Sequence, residues 1–245
     1  SAVNIILKES ARNSWLFSGD AAVGLSPFLY DSRLMLTRFS KKSQSIFLLK
    51  GNNTGKDLSK DLMTQKYATT SRAFLYTPGN TDSDLSNSFS IRRSTLPIPE
   101  VYYFDNNSIC LSANHLAVKG KESRLSFNLN ALAQQWDEDE YTVQTIHLTD
   151  SDPLIIKEEE SRNDRSLYLN GQVNIEKNTE RKYIYNTTAL SGQIREHISA
   201  VSNHADDRYQ LPSLKISNTF EGIIRSGSNA INIKSDTKFV YGDHS

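Results

Sequence analysis

Apolar residues in this chain recur mostly at every second position, in short runs separated by polar clusters. Leu125, Phe127 and Leu129 alternate with Ser126 and Asn128, which predicts a half-buried strand. Further strands are predicted at Val3–Lys8, Arg33–Phe39, Ser45–Lys50, Ser108–Leu111, His115–Val118, Leu154–Lys157, Ser166–Leu169, Gln172–Glu176, Lys182–Tyr185, Leu214–Ser217, Gly222–Arg225, Asn229–Lys234 and Lys238–Tyr241. In Tyr141–Leu148 neither face is purely apolar, the pattern of a strand packed on both sides or at an edge.

Helical spacing is rare. Leu58, Leu62 and Met63 predict a helix over Asp57–Tyr67, with Asp57 as N-cap. Asn130 is placed to cap one or two turns over Ala131–Trp136. Over Ser191–Asp207, Ile194, Ile198, Val201 and Ala205 follow 4-3-4 spacing, one face of a short helix or a brief a/d seam. The charge run Lys157–Arg165 predicts a loop or boundary, and Gly79–Asp84 a second loop. Two prolines keep Thr95–Pro99 out of a central strand. The expected fold is all-β: a sandwich-like domain over 1–188, then a short helix and an extended β-rich segment over 189–245.

Composition agrees. The chain has 245 residues, 37% hydrophobic, below the usual share of about 45–50%, and Ser, Asn, Thr and Asp replace the missing fraction, which favours strands and turns. Net charge is zero and the pI about 6.9, so no global basic field marks a nucleic-acid partner. Charge is uneven: residues 1–50 carry seven Lys/Arg against three acids, and residues 135–165 carry ten acids against three Lys/Arg. No apolar run is long enough for a membrane-spanning helix, and Ser1–Lys8 lacks the regions of a signal peptide. The expectation is no membrane insertion.

The sequence offers little catalytic or ligand chemistry. Cys110 is the single cysteine, read as a buried small hydrophobe; it forms no intrachain disulfide and no zinc cage. Gly51–Asp57 resembles a phosphate-binding loop, but three residues separate Gly51 from Gly55 and Asp57 stands where a magnesium-binding hydroxyl belongs. His197 and His204 are seven residues apart, too far on one helix to share a metal, so they are candidate axial residues of an oligomer. Asp137–Glu140, Asp82/Asp84 and Asp150/Asp152 read as solvated loop acids without a calcium-loop pattern. No Gly-x-Ser-x-Gly elbow or His-Glu-x-x-His occurs. The expectation is no cofactor, no metal and no catalysis, with a dispersed carboxylate pair the one enzymatic alternative.

Asn203-His-Ala-Asp-Asp-Arg-Tyr209 resembles the short His/Asp-Arg-Tyr connectors of phage tail-fibre and receptor-binding proteins, and the alternating Ile223–Lys234 and Phe239–Asp243 are similar to their β-stacked stretches. The resemblance implies a homotrimer in a virion tail or baseplate, with other virion proteins or a host surface receptor as partners. In that setting Ile194, Ile198 and Val201 are the expected oligomer interface. The alternative expectation is a secreted or cell-surface β-sandwich that binds glycans, with Trp15, Trp136 and the tyrosines as a sugar platform.

Overall fold

The computed structural model describes residues 13–58, 99, 102, 105–120, 122–146, 152–201, 207–227 and 229–242. They form nine strands: β1 (Trp15–Leu25), β2 (Phe28–Phe39), β3 (Ser43–Asn52), β4 (Asp105–Lys119), β5 (Ser123–Ile146), β6 (Leu154–Asn178), β7 (Lys182–Val201), β8 (Asp207–Ser226) and β9 (Asn229–Tyr241). All lie in one open antiparallel sheet in chain order β1 to β9, each strand beside its sequence neighbour. The all-β class therefore holds, as a single meander instead of two packed sheets among the described residues.

The helical expectations fail where they are described. Asn130–Trp136 lies within β5, paired with β4 and β6. Ser191–Val201 belongs to β7, paired with β6 and β8. A marginal helical stripe lost to two complete ladders of backbone hydrogen bonds. Asp57 and Leu58 are not helical; the rest of that predicted helix, together with Val3–Lys8, Gly79–Asp84 and His204, lies outside the described residues. The charge run Lys157–Arg165 is also strand, inside β6, and Asp137–Glu140 is strand, inside β5. The sheet continues through positions 188 and 189, since β7 spans both.

Short predicted strands merge into long ones. Leu154–Lys157, Ser166–Leu169 and Gln172–Glu176 are one strand, β6, and Ser108–Leu111 and His115–Val118 are one strand, β4. Connections differ between the two ends of the sheet, with the two-residue turn between β1 and β2 as the exception. At one end the strands are joined across residues 40–42, 120–122, 179–181 and 227–228; at the other across 26–27, 53–104, 147–153 and 202–206.

Burial reverses the usual arrangement of a water-soluble sheet. In β4, Asn106, Ser108, Cys110 and Ser112 are buried, while Ile109 and Leu111 between them are exposed. Thus the face whose side chains are buried, here called inner, is largely polar. The outer face is apolar.

Candidate functional site

Period-two alternation carried through the ladder register assigns every strand residue to one face. On β5 the outer residues are Leu125, Phe127, Leu129, Ala131 and Ala133; β6 sets Ile175, Val173, Gly171, Leu169 and Leu167 directly beside them. Leu167 is 53% exposed. The stripe continues on β7 as Ile184, Leu190 and Ile194, on β8 as Leu214, Ile216, Phe220 and Ile224, and on β9 as Ile231, Ile233, Phe239 and Tyr241. Towards the other edge it includes Phe47 and Leu49 on β3, Leu34 and Leu36 on β2, and Phe17 and Val23 on β1. Lys119, Lys177 and Lys182 come just below it, at the end with the short turns, and Arg38 stacks on Trp15 at 5.3 Å at that same end.

The dimensions of this belt are informative. Nine residues of β6, Leu167 to Ile175, span roughly 30 Å along the strand, or roughly 26 Å in height at the tilt of roughly 30° that the slope of the belt gives. Across nine strands the belt is roughly 38 Å wide, an apolar area on the order of 900 Å². Soluble monomers seldom expose a contiguous patch beyond about 600 Å².

The belt is also oblique to the ladder. One hydrogen-bonded row runs from Gly19 through Leu34, Leu49, Leu111, Ala131, Leu169, Gly192 and Leu214 to Tyr241. It crosses the apolar stretch of β1 near its middle but meets that of β9 at its upper limit. The belt therefore drifts by about six residues, roughly 20 Å, over roughly 38 Å of sheet, a strand tilt of roughly 30°.

Polar residues on the outer face satisfy one another. Asn218 Nδ2 donates to Thr188 Oγ1 at 2.8 Å and to Asn186 Oδ1 at 3.3 Å, and Asn186 Nδ2 donates to Asn218 Oδ1. His115 shares a 2.8 Å hydrogen bond with Ser45. Such pairing removes most of the cost of holding polar groups away from water.

The inner face is a polar fabric. Ser112 donates to Asn130 Oδ1 (2.7 Å), Asn130 to Asn128 Oδ1 (2.7 Å), Asn128 to Asn114 Oδ1, and Asn114 back to Ser112 Oγ (3.1 Å), closing a four-membered ring across β4 and β5. Asn174 receives from Gln172 at 2.9 Å and Thr187 at 2.8 Å, and donates to Ser126 at 3.0 Å. Towards the end with the longer connections, charges replace amides. Asp164, 1% exposed, accepts from Arg195 Nε at 2.9 Å and lies 2.9 Å from His197 Nδ1, whose ring packs on Tyr209.

Farther along the same face, Arg162 is held by Glu160 at 2.6 Å and lies 3.4 Å from Glu140 and 3.6 Å from Glu138. The hydrogen bond from Arg162 lowers the Glu160 carboxyl below its ordinary value despite partial burial, and the Glu160 carboxylate raises the Arg162 guanidinium.

The residues expected to act together are separated by this geometry. Ile194 and Ile198 are on the outer face, while Val201 is on the inner one. His197 is engaged with Asp164. Trp15 is exposed on the outer face and Trp136 buried on the inner. Cys110 is buried, as expected. Sequence reasoning missed Asp164, Arg162 and Arg195, which sat in stretches read as loop or helix. It also missed the belt, whose signal was alternation with the polar residues as the buried set. Among the described residues no group of three His, Cys, Asp or Glu side chains could hold a metal ion, and no helix is long and apolar enough to cross a membrane. No protein-family model matches the chain, and no curated protein matches it in sequence.

Proposed function

We propose that this sheet is part of the wall of a transmembrane β-barrel of the outer-membrane type, with lipid against the outer face and a polar lumen against the inner. The observation that carries the reading is the oblique apolar belt, flanked by charge and backed by a buried polar face. Transmembrane strands alternate apolar-out and polar-in, tilt by about 35–45°, and carry an apolar band about 25 Å tall; the belt height and slope are close to both. The contrast between connections gives an orientation. Short turns mark the periplasmic side of such barrels and longer connections the outside; three of the four connections at the β5–β6 end are the long ones, the two-residue turn 26–27 being the exception, so the β5–β6 hairpin and its Arg162 cluster project outward.

This replaces the expectation of no membrane insertion, which rested on the lack of a long apolar run. A strand exposes only alternate residues to lipid, so no such run is needed. Among the described residues β1 and β9 are the edges of the open sheet, and an unpaired backbone edge is untenable in lipid. The reading therefore requires both edges to be paired in the membrane.

The test is partition. Refolded with phospholipid vesicles, the chain should float with them, resist extraction by alkaline carbonate, and gain its strand signal only with lipid or detergent. A tail-fibre assembly would instead bury the apolar face against neighbouring chains and give a water-soluble oligomer with full strand content in plain buffer; that result would reject the membrane reading.

A further inference from the structure

Directly after β3 the chain turns across the inner face. Gly55, at φ 76°, occupies a left-handed conformation that suits glycine, and its N–H donates to Asn106 Oδ1 at 2.8 Å. The carbonyl of Lys56 receives Nδ2 of both Asn52 and Asn106 at 3.1 Å. Asn106 also donates to Asn52 Oδ1 and Ser108 Oγ. The Lys56 ammonium pairs with Asp31, an inner-face residue of β2.

Two residues later Leu58, 5% exposed, packs on Cys110, Leu132 and Tyr168. Those three are one cross-strand row across β4, β5 and β6, an apolar step flanked on each strand by amides and hydroxyls: Ser108 and Ser112, Asn130 and Gln134, Ser166 and Asn170. A water-filled lumen gives no reason for an apolar step there; a leucine seated on it does.

We infer that Thr54–Leu58 is an inward strap, built onto the wall through Asn106 and the Leu58 seat, that narrows the lumen and restricts which solutes pass. The inference rests on the barrel reading. It assigns Asn52 and Asn106 as positioning residues for the strap and Leu58 as its anchor.

Cys110 provides a native reporter, because it lies under Leu58 at 1% exposure. The full chain, in detergent micelles and in vesicles, is treated with a polar maleimide, and entry of a neutral disaccharide is followed by vesicle swelling. Wild-type Cys110 should react slowly. Leu58→Gly and Asn106→Ala should each raise its rate at least tenfold and disaccharide entry severalfold, with strand content unchanged, while Leu58→Met should restore both. Equal Cys110 reactivity in wild type and Leu58→Gly would overturn the strap. A reactive Cys110 with unchanged entry would overturn the constriction. Failure of the barrel reading is separately visible, as wild-type chain that does not enter vesicles yet keeps Cys110 protected; the strap would then narrow no lumen, and the inference falls with it.

Discussion

Placing an arginine at Leu129 tests the lipid-facing assignment where it is most sensitive. Leu129 is the middle outer residue of the β5 belt, between Ala113 on β4 and Gly171 on β6. A side chain on Gly171 would meet its Cδ1 at 3.8 Å, so Leu129 covers the bare backbone there. The half-height of the belt is roughly 12 Å, too far for one side chain to reach headgroup water freely. An arginine at the midplane of such a wall costs about 2–4 kcal/mol, falling to about 0–1 near the interfaces. Leu129→Arg should therefore lower the folding equilibrium constant in vesicles by about 30- to 1000-fold, and Leu125→Arg, at the lower limit of the belt, by less than about tenfold. On a water-exposed sheet both changes would fall within about 0.5 kcal/mol of neutral. The assay is reversible urea unfolding in vesicles, followed by tryptophan fluorescence. Equal, near-neutral effects at both positions would refute the reasoning.

Other predictions concern the inner face and the hairpin beyond the belt. Asp164→Ala leaves Arg195 and His197 without their shared acceptor and should destabilise the fold by about 3 kcal/mol, the low end of the range because the Arg195 side chain keeps 22% exposure; urea unfolding measures it. Asn128→Ala opens the Ser112–Asn130–Asn128–Asn114 ring, strands a donor on Asn130 and an acceptor on Asn114, and should cost about 1–3 kcal/mol in the same assay. The Glu160 carboxyl is depressed below its ordinary 4.5, so its stabilisation is fully present above that pH and is lost as pH falls through the depressed value. Hydrogen exchange at Ser161–Asn163 should accelerate as pH falls below 4.5, beyond the intrinsic pH dependence of exchange, and Glu160→Gln should remove that extra acceleration.

The strand class was legible because alternation survives whichever face is buried. Strand length was not. Asn163, Asp164 and Arg165 read as breakers, yet Asp164 is enclosed by Arg195 and His197, and Arg162 by three glutamates. Apart from Glu160, two residues before Arg162 on β6, those partners come from β5 and β7, so the register is needed to reveal that the charges are satisfied. The 4-3 spacing of Ile194, Ile198 and Val201 misled for a related reason. A separation of four is even and keeps Ile194 and Ile198 on one face of a strand as it would on a helix, and Val201 alone breaks the strand pattern. The polarity of the faces was hidden by the assumption that Leu125, Phe127 and Leu129 point to a core; the same alternation describes a strand whose apolar side meets lipid. Leu58 was read on a helix with Leu62, and its seat on Cys110, Leu132 and Tyr168 depends on a turn at Gly55 that spacing alone does not place.

The central claim is that successive residues of β5 and β6 alternate between lipid and lumen. Spin labels placed singly from Leu125 to Ala133 and from Leu167 to Ile175, in a Cys110→Ala background in vesicles, measure it directly through relaxation by oxygen, which partitions into lipid, and by a polar nickel chelate. The account predicts a period of two on both strands, with oxygen favoured at Leu125, Phe127, Leu129, Leu167, Leu169 and Val173, strongest at the middle of each belt, and suppressed at Asn128, Asn130, Tyr168 and Asn170. An absent alternation, or outer positions that favour the nickel chelate, would contradict it.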